Sequence, residues 1–302
     1  MKTSAMTPNF GLTAEFEDLE ELLNFDSERL KSMLVENGVI LVRCAQLIEP
    51  DHFMKFSEKV SKKFVIHGAK VRKPLSADGS VQTVTEGPDS IVLHSEMHFS
   101  PFSPDLMWFF CSLAPSHGGE TTVCDGTFFF KNLSVKAKEL LSKQKLKYWN
   151  LWDPDSWSKF FSGYEQAEIL EIFKSKGARA WFNGKNELEF ETEKWAVGIA
   201  DSGEPAFANS ILVHDQYSKK FQMFHTEDQT PELRHRISFS DGAEIPQWLN
   251  QELAEIEARA VYAHKWKNGD LLLLDNRRML HGRNSFDPAI KRTIMVRMAM
   301  LS

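Results

Sequence analysis

Leucines at 19, 22, 23, 30 and 34 recur at helical spacing among acids and lysines, which predicts helix across 15–37. The run GVILVRC (38–44) is short and continuously apolar, as a buried strand should be. EPDHFMKFSEKVSKKF (49–64) is amphipathic with Asp51 near its start, and predicts a second helix. Residues 65–90 are interrupted by Gly, Pro, Ser and Asp and read as irregular strands and loops. From 91 the texture is strand-like, in SIVLHSEMHF, DLMWFFCSLA and GETTVCDG. The middle mixes helical VKAKELLSKQ and YEQAEILEIFKSKG with aromatic strands LKYWNLW and ARAWFN, and EIPQWLNQELAEIEARAVYA (244–263) reads as a further helix. GDLLLLDN (269–276) and KRTIMVRMAM (291–300) return to strands. There is no fixed-period repeat and no long polar linker. The expectation is one domain over 1–302, mostly β, a jelly roll (double-stranded β-helix) with helical insertions at about 131–195 and 244–263.

Composition narrows the function more than the fold. Apolar residues make up 42 % of the 302 and charged residues 26 %, which allows an ordinary packed core. The net charge of −6, without a dense Lys/Arg run, argues against nucleic acid as a partner. No apolar run approaches the roughly 20 residues that span a bilayer, so no membrane partner is expected. The opening stretch MKTSAMTPNFGLTAEFEDLEELL is acidic and lacks the apolar core of a signal peptide. Cys44, Cys111 and Cys124 are an odd count without CxxC spacing. That excludes a disulfide framework or thiolate metal site and leaves three small buried hydrophobes in a cytoplasmic protein.

Candidate chemistry concentrates in LHSEMHF, where His94, Glu96 and His98 fall at alternate positions. On a strand, alternate residues share a face. His94 and Glu96 would then point together, with His98 third in the row. Same-face neighbours lie about 6–7 Å apart on one strand, so a third ligand to one ion should come from elsewhere. His281, just past the turn after LLDN, is the candidate. Two imidazoles and a carboxylate on one side of an ion form the set used by non-haem Fe(II) oxygenases. Zinc accepts the same ligand types.

With these residues in place, the chain resembles the taurine dioxygenase/clavaminate synthase family of Fe(II)- and 2-oxoglutarate-dependent oxygenases. The matching stretches are HSEM (94–97), GGET (118–121) and DNRRMLHGRNSF (275–286) followed by KRTIMVRM (291–298), with GVILVRC and FANS (207–210) extending the likeness over most of the chain. The clavaminate-synthase-like branch, with Glu as the acid of the triad, is the nearest in character. The resemblance implies that His94, Glu96 and His281 bind Fe(II), with 2-oxoglutarate and O2 as co-substrates. It leaves His98 either as a cavity-facing substrate contact or as a satisfied core histidine.

The resemblance also implies that Arg292 clamps the distal carboxylate of 2-oxoglutarate, helped by the Thr121 hydroxyl. Arginine suits that task because its planar fork matches a carboxylate. Asn209 is a candidate polar contact in the pocket. Arg297 is a candidate for a substrate anion, with a surface arginine as the plainer account. Arg283 is a candidate to orient the loop, with surface pairing to Asp275 or Asp287 as the plainer account, and Gly118 and Gly119 are expected to serve the turn before Thr121. His214, His225, His235 and His264 lack partner spacing and are expected to be structural or superficial. Phe99, Phe102 and Trp108 are core residues first and substrate walls second.

Halogenases of this superfamily have a small residue at the acid position, so Glu96 implies hydroxylation or desaturation. The implied substrate is a small amino-acid-like or carboxylate metabolite from specialised biosynthesis. AVYAHKWKNGDLLLLDN is similar to a branch acting on isonitrile-bearing amino acids, by desaturation or decarboxylation. From other classes, an inactive jelly-roll binding module or a zinc hydrolase on the same ligands stays open; the hydrolase would have no use for Arg292. No feature of the sequence sets an oligomeric state.

Overall fold

The computed structural model describes residues 1–47, 49–67, 72–224 and 234–301. Its centre is two facing, largely antiparallel sheets, the jelly roll expected from the sequence. In one, the strands run in the order Lys2–Ala5, Leu12–Phe16, Val39–Cys44, Leu271–Asp275, Leu106–Leu113, Thr293–Met300 and Lys63–Val65, and Val81–Thr83 also pairs with Thr293–Met300. Among these, Leu12–Phe16 and Val39–Cys44 pair in parallel. The other sheet runs Tyr262–His264, Thr121–Asp125, Met279–Arg283 and Ile91–His94.

The central strands of the larger sheet are mostly apolar because both their faces are covered. Leu271 and Leu273 pack into a cluster with Ile40, Val42, Trp108 and Phe110 beneath the N-terminal helices. Leu272 and Leu274 pack on the opposite face with Val123, Met107, Phe109 and Met279, between the two sheets. Each buried leucine contributes about 1.5–3 kcal/mol, and truncating Leu273 to Ala should cost about 2–5 kcal/mol. Helix Pro50–Val60 closes the first cluster with Phe53, Phe56 and Val60, which fall on one side of it at helical spacing.

Several boundaries differ from the sequence reading. The stretch 15–37 starts in the strand Leu12–Phe16 and then forms two helices, Leu19–Asn24 and Ser27–Asn37. They are separate because Asp18 and Asp26 each accept an N-capping hydrogen bond, from Glu21 N and Arg29 N. The helix expected over 49–64 stops at Val60. The helix expected over 244–263 spans Gln247–Ala260, and Tyr262–His264 pairs with Thr121–Val123 instead. The 131–195 insertion is not purely helical. Lys145–Trp152, Arg179–Phe182 and Leu188–Trp195 form a third sheet with His235–Phe239, closed by an aromatic cluster around Phe161, Phe173 and Phe190. Helix Ile211–Phe224, directly after FANS, has no counterpart in the sequence reading.

Candidate metal and co-substrate site

The strand Ile91–His94 ends at His94, directly opposite His281 on Met279–Arg283, and the two ring centroids lie 4.4 Å apart. Glu96 is not on that strand. The chain turns after His94, with Met97 at φ 52°, and it is this turn that brings the Glu96 carboxylate back to the imidazoles. Asn276 builds the turn. Its Oδ1 accepts from Glu96 N at 2.7 Å, and its Nδ2 donates to the carbonyls of Glu96 and Pro104. Ligand atoms of His94, Glu96 and His281 all lie within 4.8 Å of one another, and Glu96 Oε2 is 3.4 Å from His281 Nε2.

The protonation of this group suits a cation. His94 Nδ1 lies 2.9 Å from the Val92 carbonyl; donating there fixes the tautomer that keeps the Nε2 lone pair available. Burial pushes the His94 imidazolium down to about 4, reinforced by His281, so the ring is neutral at neutral pH. Burial alone would raise the Glu96 carboxyl, but the neighbouring Arg72 guanidinium, His281 and His67 hold it well below the usual range. A buried carboxylate, a buried imidazole and a half-buried one, with one ligand atom from each inside 4.8 Å of the others, are a donor set that suits a metal. These residues fit an Fe(II) centre.

The three line a cavity of about 510 Å3. Thr121 and Arg292 line the same cavity, as the resemblance implies for the co-substrate. Arg292 is fixed by position more than by bonds. Its guanidinium carbon stands 4.8 Å from the Phe286 ring centroid, while Nε and Nη1 have no hydrogen-bond partner. Burial pushes its pKa down to about 10, and Arg283 adds to the shift, so it stays charged at neutral pH. Gly119 makes space for it: at φ +65°, an added Cβ would sit 2.9 Å from Arg292 Nη1. Gly118 and Gly119 do serve the turn, but the second also leaves room for the Arg292 guanidinium.

Other candidates lie elsewhere. His98 leaves the row: its Nδ1 is 2.9 Å from the Tyr148 hydroxyl and it takes no part in the cavity wall, so it is a satisfied core histidine. Asn209 is 1 % exposed; its amide donates to the Ala196 carbonyl, its Oδ1 accepts from Ile211 N, and its carbonyl accepts from Ser95 N. It braces the Glu96 turn and does not enter the cavity. Arg297 is neither at the surface nor in the cavity. It shares the helix-side face of its strand with Met295 and Ala299, is 1 % exposed, donates to Ser57 Oγ, Ser80 Oγ and the Met54 carbonyl, and sits 3.4 Å over the Phe64 ring centroid.

Arg283 ties the 85–89 loop through the carbonyls of Thr85, Gly87 and Asp89 and does not pair with Asp275 or Asp287. His264 pairs with Asp270 at 3.0 Å in the core and His214 is buried, both structural as expected. His235, expected to be structural or superficial, lines the cavity while its Nδ1 bonds Asn150. His225 lies outside the described residues. Phe99 lines the cavity, Phe102 packs against Phe160 and Phe161, and Trp108 is fully buried in the helix-side core.

Two cavity residues that meet the Glu96 carboxylate escaped the sequence reading. Arg72 Nη2 is 2.9 Å from Glu96 Oε2, and His67 Nε2 is 3.5 Å from Glu96 Oε1. Both come from the Gly- and Pro-interrupted stretch, where no periodicity reports the direction of a side chain.

The model of the taurine catabolism dioxygenase TauD, TfdA family matches residues 2–299, and the chain belongs to that family. It is therefore a dioxygenase, and enzymes of this class use Fe(II), 2-oxoglutarate and O2. A clavaminate synthase-like protein of Arabidopsis thaliana is 26 % identical over 274 residues, 86 % of this chain and 81 % of its own length. The 3-((Z)-2-isocyanoethenyl)-1H-indole synthase of Fischerella ambigua is 23 % identical over 285 residues, 93 % of this chain and 89 % of its own. Among solved structures, PvcB of Pseudomonas aeruginosa superposes with a TM-score of 0.61 at 15 % identity, covering 99 % of this chain and 91 % of that one. Among the described residues no helix is long and apolar enough to cross a membrane.

Proposed function

We propose that this chain hydroxylates or desaturates a small amino-acid-like or carboxylate metabolite, acting as one oxygenase domain in the cytoplasm, with iron held by His94, Glu96 and His281. The observation that carries the reading is the convergence of two imidazoles and an ionised carboxylate in the wall of a cavity that also holds Arg292, whose Nε and Nη1 have no hydrogen-bond partner. Iron with 2-oxoglutarate supplies oxidation of an unactivated C–H bond by O2, coupled to conversion of 2-oxoglutarate to succinate and CO2.

The protein's part is binding, orientation and exclusion of water. Arg292 receives the distal carboxylate of 2-oxoglutarate on its free N–H groups, and the Thr121 hydroxyl adds a second polar contact. Away from bulk water, that charge pair is far stronger than at a surface. Phe109 packs with its ring centroid 5.3 Å from that of His281, tilted by 55°, and keeps water from that side of the ligand set. Leu151 and Trp152 of the third sheet and Val213 of helix Ile211–Phe224 give the cavity an apolar wall, and Arg234 lines it paired with Asp153 at 3.7 Å. That lining suits an apolar or aromatic body carrying an acid group, and the cavity volume is in the range of small-molecule sites.

A second reading is action on an isonitrile-bearing amino acid, by desaturation or decarboxylation. The likeness to an isocyanoethenyl-indole synthase over most of both chains favours it, and the aromatic wall would accept an indole. The test is Fe(II)-dependent succinate release from 2-oxoglutarate, screened with amino acids and their isonitrile derivatives. Stimulation by one compound identifies the substrate class. No iron-dependent succinate with any compound would leave the zinc hydrolase or the inactive binding module in its place.

A further inference from the structure

Of the three proposed ligands, Glu96 is the one whose side chain is least constrained by its own backbone. His94 is pinned by the Val92 carbonyl and His281 by its strand and by Phe109. A glutamate has three side-chain torsions and loses up to about 1.5–2 kcal/mol of rotamer entropy when fixed. Outside the ligand set, its carboxylate is met by Arg72 and His67. Arg72 is 7 % exposed, gives Nη2 to Glu96 Oε2 at 2.9 Å and Nη1 to Met298 Sδ at 3.7 Å, and has no partner at Nε. A guanidinium buried this deeply is costly unless paired, and its strong contact is to the proposed metal ligand.

We propose that Arg72 is a positioning residue for the metal centre, holding the Glu96 carboxylate toward His94 and His281. An ionised carboxylate offers about four lone-pair sites, so the contact leaves acceptor capacity for a divalent cation. Hydrogen-bonded supports of this kind typically contribute about 10–100-fold to metal affinity. Charge counting alone points the other way, because a cation beside a divalent metal should weaken binding. The two accounts predict opposite signs.

The inference rests on the metal-centre reading, and Mn(II) separates the two. Full-length metal-free protein is titrated with Mn(II), followed by loss of the free-ion EPR signal. Arg72→Gln should weaken binding about 10–100-fold, and Arg72→Lys, which keeps the charge and one donor, should recover part of the loss. In a Glu96→Asp background the shortened acid falls short of the guanidinium, so adding Arg72→Gln should change affinity by less than about threefold. Binding by Arg72→Gln as tight as wild type or tighter overturns the proposal, as does an undiminished loss in the Asp background. If Arg72→Gln does not fold, Arg72→Lys decides: weaker binding supports the proposal and unchanged binding overturns it. Failure of the wild type to bind Mn(II) overturns the metal centre itself, and the role of Arg72 with it.

Discussion

Arg292→Met removes a charge that the unliganded fold has to tolerate and that co-substrate binding requires, so stability and binding should move in opposite directions. The guanidinium is packed against Phe286 and Gly119 with Nε and Nη1 unpartnered, and burial depresses its pKa to about 10. A buried unsatisfied donor costs about 1–3 kcal/mol. Methionine fills much of the same volume without that cost. For domains of this order, each kcal/mol shifts Tm by about 2–4 °C, so the unliganded variant should melt roughly 2–12 °C above wild type. Truncating one side of a buried charge pair costs about 2–5 kcal/mol, so affinity for 2-oxoglutarate should fall at least about 30-fold. Melting in anaerobic buffer with Mn(II), with and without 2-oxoglutarate, reads both effects. At 100 times the wild-type Kd the ligand should stabilise wild type by about 2.7 kcal/mol and the variant by less than about 0.9 kcal/mol. A variant that melts below wild type while keeping its ligand-induced shift would refute the assignment.

The other predictions concern neighbouring sites. His281→Ala should abolish Mn(II) binding, whereas His98→Ala should retain it, because His98 is committed to the Tyr148 hydroxyl; equilibrium dialysis separates the two. Gly119→Ala places a Cβ against Arg292 Nη1, so the 2-oxoglutarate requirement should rise about tenfold for each 1.4 kcal/mol of displaced clamp, read as KM in the succinate assay. Lys194 donates to Ser103 Oγ, and burial pushes its pKa down to about 8, partly offset by Asp105. The unfolded chain therefore binds more protons than the folded one between about pH 8 and the ordinary lysine range, so stability should rise with pH across that window. Urea titrations should show the rise in wild type and its loss in Lys194→Met.

How much of this was legible in the sequence depended on the kind of signal. That His94, Glu96 and His281 come together was readable because histidine, glutamate and a strand-end histidine are rare together, yet the reason given for their convergence was wrong in detail. Strand alternation was expected to aim Glu96, whereas a turn braced by Asn276 and Asn209 aims it. Arg297 shows the limit of alternation. Period-two counting sets Arg297 apart from Arg292, but it cannot say that its side of the sheet is buried under helix Pro50–Val60. Arg72 and His67 gave no signal, because their stretch has no period and their role comes from reaching an acid on another segment. Among the described residues, two of the third sheet's four strands were legible, in LKYWNLW and ARAWFN. Its assembly was not, since pairing with His235–Phe239 is a long-range contact.

The central claim is that His94, Glu96 and His281 hold one iron beside the Arg292 clamp. The most direct measurement is the anaerobic visible spectrum of the Fe(II)-loaded protein during titration with 2-oxoglutarate. Wild type should develop a weak band that saturates at one 2-oxoglutarate per chain, Arg292→Met should need far more ligand, and His281→Ala should develop none. No band in wild type, or an unchanged band in His281→Ala, would contradict the account.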